Sequence, residues 1–412
     1  MSSNGKDRTI LRDLAKQLAE IAELPVQKRK AELWTRLNGL ERVRPLIYVS
    51  PAPSIWEELL PEDTLQTQDP WSRRQEYALR QRLYHWEHLR DDAVFDAEWP
   101  CPIVIRDSGW GVQEKSVRPD HWFGARSFQT VIEKESDLEK IQPPRVSVDW
   151  RATEANYERL CGVFGDILNV RKQGVSHLNF AIMDAFIKFR GVERMFLDLI
   201  ERPAWIHEAM ERMTQGALGR IDQLQELNVL ALNNGNSRSG SGGLAFTDEL
   251  PQGDFDGAHV RPKDMWGHAT TQIFSDVSPA MHEEFALRYE RRFMERFGLC
   301  NYGCCEPLHR KTHILRGLPN LRKVSMSPWV DVEAGAAGLG ADYVFSYKPN
   351  PAALAADEWN AQAVRAGLRD MFEKTKGCVV EVILKDLHTC GNEPRRVWEW
   401  TTIAMELAEE FA

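Results

Sequence analysis

Short apolar, β-prone runs alternate with longer amphipathic segments along most of the chain, and this alternation limits the fold to a few classes. Eight runs fit strands, at residues 45–50, 102–106, 177–183, 229–233, 299–304, 323–327, 343–346 and 379–385. Helical stripes such as Val192, Met195 and Leu199 lie between most of them. Alternating strands and helices pair in parallel, and eight such units close into a barrel. We therefore predict an α/β fold, a (β/α)8 TIM barrel, with a doubly wound open sheet as the alternative.

Two segments fall outside this alternation. Residues 1–43 have a helical pattern, with Leu11, Leu14 and Leu18 on one face and Pro25 at the end of the first segment. We predict an N-terminal helical extension over 1–43 and one barrel domain over 44–412. Residues 233–243, NNGNSRSGSGG, begin a long insertion after the predicted fourth strand. Such a loop lies on the active-site face of a barrel, and a plain flexible surface loop is the alternative.

Charge and composition exclude several classes of protein. The 412 residues include 52 Lys and Arg against 61 Asp and Glu, with no basic run, so we predict no nucleic-acid partner. No stretch approaches the roughly 20 apolar residues that span a bilayer, and the N-terminus is polar, so we predict no membrane contact and a cytoplasmic location. Seven cysteines do not form a disulfide framework. The motifs GxGxxG, GxxxxGK[ST], GxSxG and HExxH are absent, which argues against dinucleotide, phosphoryl-transfer and serine-hydrolase chemistry.

The segment LCNYGCCEPLH, residues 299–309, places chemically active side chains at the end of a predicted strand. It contains Cys304, Cys305, Glu306 and His309. Thiolates and imidazoles are ligands that Zn²⁺ prefers, and catalytic zinc sites use three protein ligands and one open position. The spacing is not that of a CxxC pair, and buried thiols that pack as small apolar groups are the alternative.

A second cluster, VVEVILKDLHTCGNEP, spans residues 379–394. Its predicted strand ends at Lys385, and Asp386 and His388 follow closely. The carboxyl ends of barrel strands meet at one mouth, so we expect this cluster to lie near Cys304. The two clusters together predict a zinc site with the candidate ligands Cys304, Cys305, His388 and Cys390. The alternative is a partly buried ion pair between Lys385 and Asp386, with His388 hydrogen-bonded nearby.

Five segments, taken in order, resemble the uroporphyrinogen decarboxylase superfamily over roughly residues 170–410. They are DLIERPAWIHEAMERMT, QIFSDVSPAMHEEFALRYERR, VSMSPWVDVEAGAAGLG, VFSYKPNPAAL and VILKDLHTCGNEPRRVWEW. The first is similar to a family helix in which RP or DP precedes a run ending in T. The last stands where the family has a strand, a GHG turn and a final helix. The superfamily is a (β/α)8 barrel, in agreement with the strand count.

Two activities occur in this superfamily. The decarboxylases grip a porphyrinogen through an arginine-containing N-terminal turn, and the first strand here, RPLIYVSPAPSIWEE, has no arginine cluster. The corrinoid-dependent methyltransferases carry HxC after one strand and a Cys in the turn after the last. Here Tyr302-Gly303-Cys304 keeps the Cys, while His388 stands near the second Cys position, with Cys390 two residues on. The chain is thus more similar to the methyltransferase branch.

This resemblance implies transfer of a methyl group from a small methoxylated or methylated-amine donor to a corrinoid (cobalamin) carried by a partner protein. Zinc or a proton donor would stabilise the leaving heteroatom. A cofactor-free decarboxylase of a small carboxylated substrate and a non-catalytic binding barrel are the alternatives, and a homodimer is left open.

The implied site residues fall into two sets. Glu249, Glu306 and Asp386 are candidates for proton delivery or for supporting the side chains that act directly. The candidates for substrate binding are Asn233 and Asn234, which would orient it, and Trp56, Trp110 and Trp329, which would form flat walls. For each of these tryptophans, a place in the core is the alternative.

Overall fold

Parallel strands form the centre of the fold in the computed structural model, which describes residues 5–117 and 127–412. The strands are β1 (Leu46–Pro51), β2 (Glu98–Pro102), β3 (Ile105–Asp107), β4 (Lys115–Val117), β5 (Ser127–Gln129), β6 (Val146–Val148), β7 (Asn169–Gln173), β8 (Asn179–Phe180), β9 (Trp266–Ala269), β10 (Leu299–Tyr302), β11 (Leu321–Met326), β12 (Val344–Tyr347) and β13 (Val379–Leu387). Seven of them make one curved sheet in the order β1-β13-β12-β11-β10-β9-β8, with every neighbouring pair parallel. The predicted α/β class with a parallel sheet is confirmed.

Helices surround this sheet. They are α1 (Gly5–Ala22), α2 (Pro25–Asn38), α3 (Trp56–Leu59), α4 (Pro70–Tyr84), α5 (Trp150–Phe164), α6 (Ile182–Arg190), α7 (Val192–Glu201), α8 (Pro203–Glu226), α9 (Pro279–His282), α10 (Arg288–Met294), α11 (Thr312–Leu315), α12 (Val332–Leu339), α13 (Ala352–Ala355), α14 (Ala361–Lys374) and α15 (Arg395–Glu410). None of the helices within the described ranges combines the length and apolar character that crossing a bilayer requires.

The sheet does not close into an eight-stranded barrel within the described residues. Its free edges are β1 and β8, while β2 pairs with β7 in a separate two-stranded sheet. Side chains satisfy the open edge of β1, because Asp91 Oδ2 accepts the Val49 N–H at 2.6 Å and Asp92 Oδ2 accepts the Ile47 N–H at 2.8 Å. These carboxylates occupy the backbone donors that a neighbouring strand would otherwise bind. The prediction of eight strands in one closed sheet is therefore corrected to seven in a curved, open one.

Two strand predictions fail near this opening. Residues 229–233 form no strand, and Leu230 makes only an isolated parallel bridge to Val175. Within the predicted run 177–183 the strand β8 covers two residues, and α6 begins at Ile182. In the opposite sense, β9 has no counterpart among the predicted strands. Its sequence, WGHA, breaks the apolar pattern because it places Gly267 and His268 in the sheet.

The N-terminal extension forms two helices, as its pattern predicts. Leu11, Leu14 and Leu18 are buried on one face of α1, and Pro25 opens α2. Trp34 of α2 is fully buried, and its indole N–H donates to the Asp92 carbonyl at 2.8 Å. This contact joins the extension to the segment that covers the edge of β1, so the helices are part of the packed core.

The Gly/Ser-rich segment 237–243, which we call the interior loop, packs against the inner face of the sheet. Gly243 N–H donates to Glu381 Oε1 at 3.0 Å, and Ser241 Oγ donates to the Gly303 carbonyl at 2.6 Å. A Cβ on Gly240 would lie 2.4 Å from the His268 ring. Only glycine allows so close an approach, so a flexible surface loop does not describe this segment. Arg238, Gly240 and Ser241 line a cavity at the carboxyl ends of the strands, which agrees with the predicted place of the loop on that face.

Candidate functional site

A cavity of about 580 Å³ opens at the carboxyl ends of the parallel strands. Its wall contains Ser50 from β1, His268 from β9 and Cys304 just after β10. Lys385 near the end of β13 and Arg238 of the interior loop complete the charged part of the lining, together with Asp386. Clefts of this size at the carboxyl edge of parallel strands are typical of small-molecule sites.

Cys304 and Lys385 make the closest chemical pair in this cavity. Lys385 Nζ donates to Cys304 Sγ at 3.1 Å and lies 3.5 Å from Cys305 Sγ. A hydrogen bond from Cys305 and the charge of Lys385 outweigh burial and lower the pKa of Cys304 to about 6. Burial opposes the charge on Lys385, but the neighbouring thiols and Asp386 outweigh it and raise the pKa of the ammonium. The pair is thus a thiolate held against an ammonium ion.

Cys305 and Asp386 lie at the solvent side of this pair. The two sulfur atoms of Cys304 and Cys305 are 3.6 Å apart, and Cys305 Sγ is also 3.6 Å from Asp386 Oδ2. The hydrogen bond to Cys304 and burial raise the pKa of Cys305, so its proton stays on the sulfur. Asp386 Oδ2 is 3.0 Å from Lys385 Nζ. The ion pair considered as the alternative to a metal site is therefore present.

Glu306 supports the Cys304 turn from beneath and does not face the cavity. It is fully buried, and its carboxylate accepts the Thr270 hydroxyl at 2.8 Å and the Cys304 N–H at 2.8 Å. Gly303 enters the turn with a φ of +87°, a conformation that favours glycine. Glu306 therefore positions Cys304, which is the supporting role of the two predicted for it.

The other two predicted ligands have partners elsewhere. His388 lines the cavity, where its Nδ1 is 2.9 Å from Ser54 Oγ. Cys390 is buried and its Sγ donates to Glu58 Oε2 at 3.1 Å. Burial and that hydrogen bond raise the pKa of Cys390 to about 12, which opposes the thiolate form that a metal needs. Cys390 thus faces α3 and not the cavity.

The four predicted ligands do not fit a zinc ion in this arrangement. Over residues 5–117 and 127–412, the structure contains no group of three or more His, Cys, Asp and Glu side chains placed to hold a metal. An ammonium lies beside the Cys304 sulfur instead, at hydrogen-bond distance. Zinc remains a prediction from the resemblance, and we derive no chemical step through it.

The side chains of the two asparagines predicted to bind substrate form hydrogen bonds with backbone groups. Asn233 borders the cavity, but its amide donates to the Ser176 and Trp266 carbonyls at 2.7 and 3.0 Å and accepts the Trp266 N–H at 2.8 Å. Asn234 donates to the Leu250 carbonyl at 2.6 Å. Both side chains hold the segment that leads into the interior loop.

Glu249 lies away from the cavity. Its carboxylate pairs with Arg322, which is the second residue of β11 and so stands at the amino end of that strand. The hydrogen bond from Arg322 holds the pKa of Glu249 below its usual range. Glu249 is outside the cavity lining, so both predicted roles, proton delivery and support of the site, are corrected to an ion pair at the amino end of β11.

The three predicted tryptophan walls are also outside this cavity. Trp56 is buried in the core beside Tyr84, with ring centroids 5.8 Å apart. Trp110 lines a second cavity next to α8, and Trp329 is 71% exposed. The tryptophan that does border the site is Trp266.

Sequence reasoning missed Arg238, His177, His268 and Trp266 in the lining. His268 and Trp266 lie on β9, a short strand whose mixed sequence, WGHA, has no apolar periodicity to reveal it. Burial lowers the pKa of His268 to about 4, so its imidazole is neutral. Arg238 lies in the loop 233–243 that the sequence placed on this face, but only the packing of the interior loop shows that its side chain reaches the cavity.

Charged side chains also fill the inner face of the sheet below the cavity. Lys323 Nζ and Glu381 Oε2 form an ion pair of 2.7 Å with both side chains fully buried. Ser346 Oγ donates to the same carboxylate at 2.5 Å, and Lys348 Nζ donates to Ser346 Oγ at 2.6 Å. Burial lowers the pKa of Lys348 to about 7. Both carboxylate oxygens of Glu381 therefore already have hydrogen-bond partners, and neither pairs with a cation of the cavity.

No protein-family model matches this chain, and no curated protein matches it. Among solved structures it is similar to a methyltransferase from Methanosarcina mazei, at 12% sequence identity and a TM-score of 0.46. That match covers 92% of this chain and 97% of the other. At this identity and TM-score the likeness is remote.

Proposed function

We propose that this chain is a methyltransferase. In this proposal, a small methoxylated or methylated-amine donor binds in the cavity, and its methyl group passes to a corrinoid carried by a partner protein. The observation that carries the proposal is the Lys385 ammonium, which reaches into the cavity beside Cys304. It supplies the electrophilic assistance that removal of a methyl group from an ether oxygen needs.

The difficulty of this reaction lies in its leaving group. When the bond between the methyl carbon and an ether oxygen breaks, the electron pair stays on the oxygen, which becomes negative. A preorganised cation stabilises such charge strongly in a site shielded from water. Lys385 has only 10% of its side chain exposed, so its ammonium can hydrogen-bond the oxygen and stabilise its negative charge until the product leaves and takes a proton from solvent. With an ammonium donor the leaving amine is neutral, and Lys385 has no charge to neutralise.

Cys304 keeps Lys385 ready for this role. The thiolate lies 3.1 Å from the ammonium and favours its protonated form, while Glu306 fixes the Cys304 backbone. A reduced corrinoid bound at the mouth would supply the electron pair that attacks the methyl carbon. Asp386, which lines the cavity next to Lys385, is 55% exposed, so this side of the cavity opens to solvent and would admit a cofactor held by another protein.

The test is a methyl-transfer assay with the full chain, free cob(I)alamin and panels of methoxylated aromatics and methylated amines. We expect methylcobalamin to form from at least one donor, as measured by its absorption spectrum. For an ether donor, Lys385→Met should slow the reaction by about 10²–10³-fold, the usual cost of losing one oxyanion donor. Lys374→Met, which removes an exposed lysine paired with Asp370, is the matched control and should react at the wild-type rate.

Two results contradict the proposal. One is the absence of methylcobalamin with every donor in both panels. The other is release of carbon dioxide from a carboxylated substrate without any methyl transfer, which identifies the decarboxylase instead.

A further inference from the structure

Arg238 brings a positive charge into the cavity without a carboxylate to balance it. Its guanidinium is half-buried and donates to Ser50 Oγ at 2.7 Å and to the carbonyls of Gly242 and Ser241 at 3.1 Å each. All three acceptors are neutral, and Arg238 forms no ion pair with any residue in the described ranges. A partly desolvated cation without a counter-ion is costly, so this position favours an anion.

The hydrogen-bonding capacity of Arg238 is also incompletely used. A guanidinium has five N–H donors, and the three bonds above employ one each on Nε, Nη1 and Nη2. One N–H on each terminal nitrogen therefore remains. Two such donors on one planar group suit the two oxygens of a carboxylate.

The acidic groups near the cavity are committed to other cations. Asp386 is the acidic side chain in the lining, and it pairs with Lys385 at 3.0 Å. Glu381 beneath the interior loop pairs with Lys323 at 2.7 Å. His177 borders the cavity as well, where burial and the charge of Arg238 lower its pKa, so it adds a neutral polar wall. Besides its hydrogen bonds, the Arg238 guanidinium contacts only the neutral Tyr48 ring, 5.9 Å from the ring centre, among the described residues, and an anionic ligand would balance its charge.

We propose that the substrate of this site is a carboxylic acid whose carboxylate binds the Arg238 guanidinium. Combined with the proposed methyl transfer, on which this part rests, the methyl donor is a methoxylated or N-methylated carboxylic acid. Its carboxylate lies on the interior loop, and its methylated heteroatom faces Lys385. Arg238 is then the residue that selects the substrate, while Lys385 assists the reaction.

Calorimetric titration of the full chain without any corrinoid tests the carboxylate site. The probes are methoxybenzoates and N-methylated amino acids, each compared with its primary amide, in which the charge of the carboxylate is removed. We expect at least one acid to bind about 10- to 100-fold more tightly than its amide, because charge-assisted hydrogen bonds to the carboxylate are lost in the amide. Arg238→Gln should abolish this preference. Arg220→Gln, which alters an arginine paired with Asp107 in the second cavity, should keep it.

Equal binding of every acid and its amide to the wild-type chain overturns the inference, and so does failure of all the acids to bind. If Arg238→Gln does not fold, the comparison of acids with amides on the wild-type chain decides alone. If an acid binds tightly but yields no methylcobalamin, the result supports the carboxylate site and contradicts the proposed methyltransferase. Methyl transfer from neutral donors with no preference for acids supports the methyltransferase and contradicts the carboxylate site.

Discussion

Glu290 is a buried acid behind the strand that carries the Cys304 turn. Its carboxyl oxygens accept hydrogen bonds from the hydroxyls of Thr271 and Tyr302, both at 2.8 Å. Burial and the nearby carboxylates of Glu306 and Asp184 raise the pKa of Glu290 to about 8. Tyr302 ends β10, one residue before Gly303, so the protonation of Glu290 affects the packing beneath the site.

This raised pKa makes stability depend on pH. The folded chain holds the Glu290 proton up to about pH 8, whereas the unfolded chain releases it near the ordinary value of 4.5. The contribution of Glu290 is therefore fully present below about pH 4.5 and is lost as the pH rises toward 8. Glu290→Gln does not titrate, so its melting temperature should improve relative to wild type between about pH 5.5 and about pH 8.5. A difference in melting temperature that stays constant between these pH values would show that Glu290 titrates normally.

At the scale of elements, the interior loop controls both the fold and the site. It brings Arg238 to the cavity, and its glycines allow it to pass between Trp34 and the inner face of the sheet. A Cβ on Gly243 would lie 2.3 Å from the Trp34 ring and 3.0 Å from Glu381 Oε2. Close packing of this kind leaves no room for a methyl group.

Gly243→Ala should therefore destabilise the chain by about 1–3 kcal/mol through overpacking. Gly235→Ala, two residues before the interior loop, is the matched control, because a Cβ there meets no atom within 4 Å. Denaturant unfolding of both variants measures the effect. Equal midpoints for the two variants would mean that the loop does not pack inside the sheet.

The sequence predicted the elements whose burial follows a simple pattern. β1, β10, β11, β12 and β13 lie where apolar runs predicted strands. The apolar pattern did not predict β9, because His268 faces a polar interior. It wrongly predicted a strand at 229–233, because an apolar run also packs well without strand partners. Cys304, Asp386 and His388 were placed at the mouth by their position after strands, and the structure puts all three in the cavity lining. The roles of Arg238 and Lys385 depend on which charges meet across the fold, which local spacing does not show.

On the scale of the whole molecule, the N-terminal helices stabilise an open sheet. Trp34 of α2 packs on the interior loop, and Lys323 Nζ lies 5.6 Å from the centre of its ring. Its indole N–H also holds the Asp92 carbonyl, next to the carboxylates that satisfy the free edge of β1. A single side chain thus joins the extension, the loop and the edge of the sheet.

Trp34→Ala should lower the free energy of unfolding by about 3–5 kcal/mol, as expected for loss of a buried aromatic ring. Trp329→Ala is the matched control, since that ring is 71% exposed, and it should change stability by less than about 0.5 kcal/mol. Denaturant unfolding followed by circular dichroism compares the two variants. If they unfold at the same denaturant concentration, the helical extension is not part of the core.

The titration of Cys304 tests the proposed reaction centre most directly. Alkylation by iodoacetamide at a series of pH values, followed at the Cys304 peptide by mass spectrometry, reports the fraction of thiolate. We expect a midpoint near pH 6 in the wild-type chain, and an upward shift of about 1–3 units in Lys385→Met that Lys385→Arg largely avoids. A wild-type midpoint at about 8.5 or above, unchanged by removal of the Lys385 charge, would show that thiolate and ammonium do not meet in the cavity.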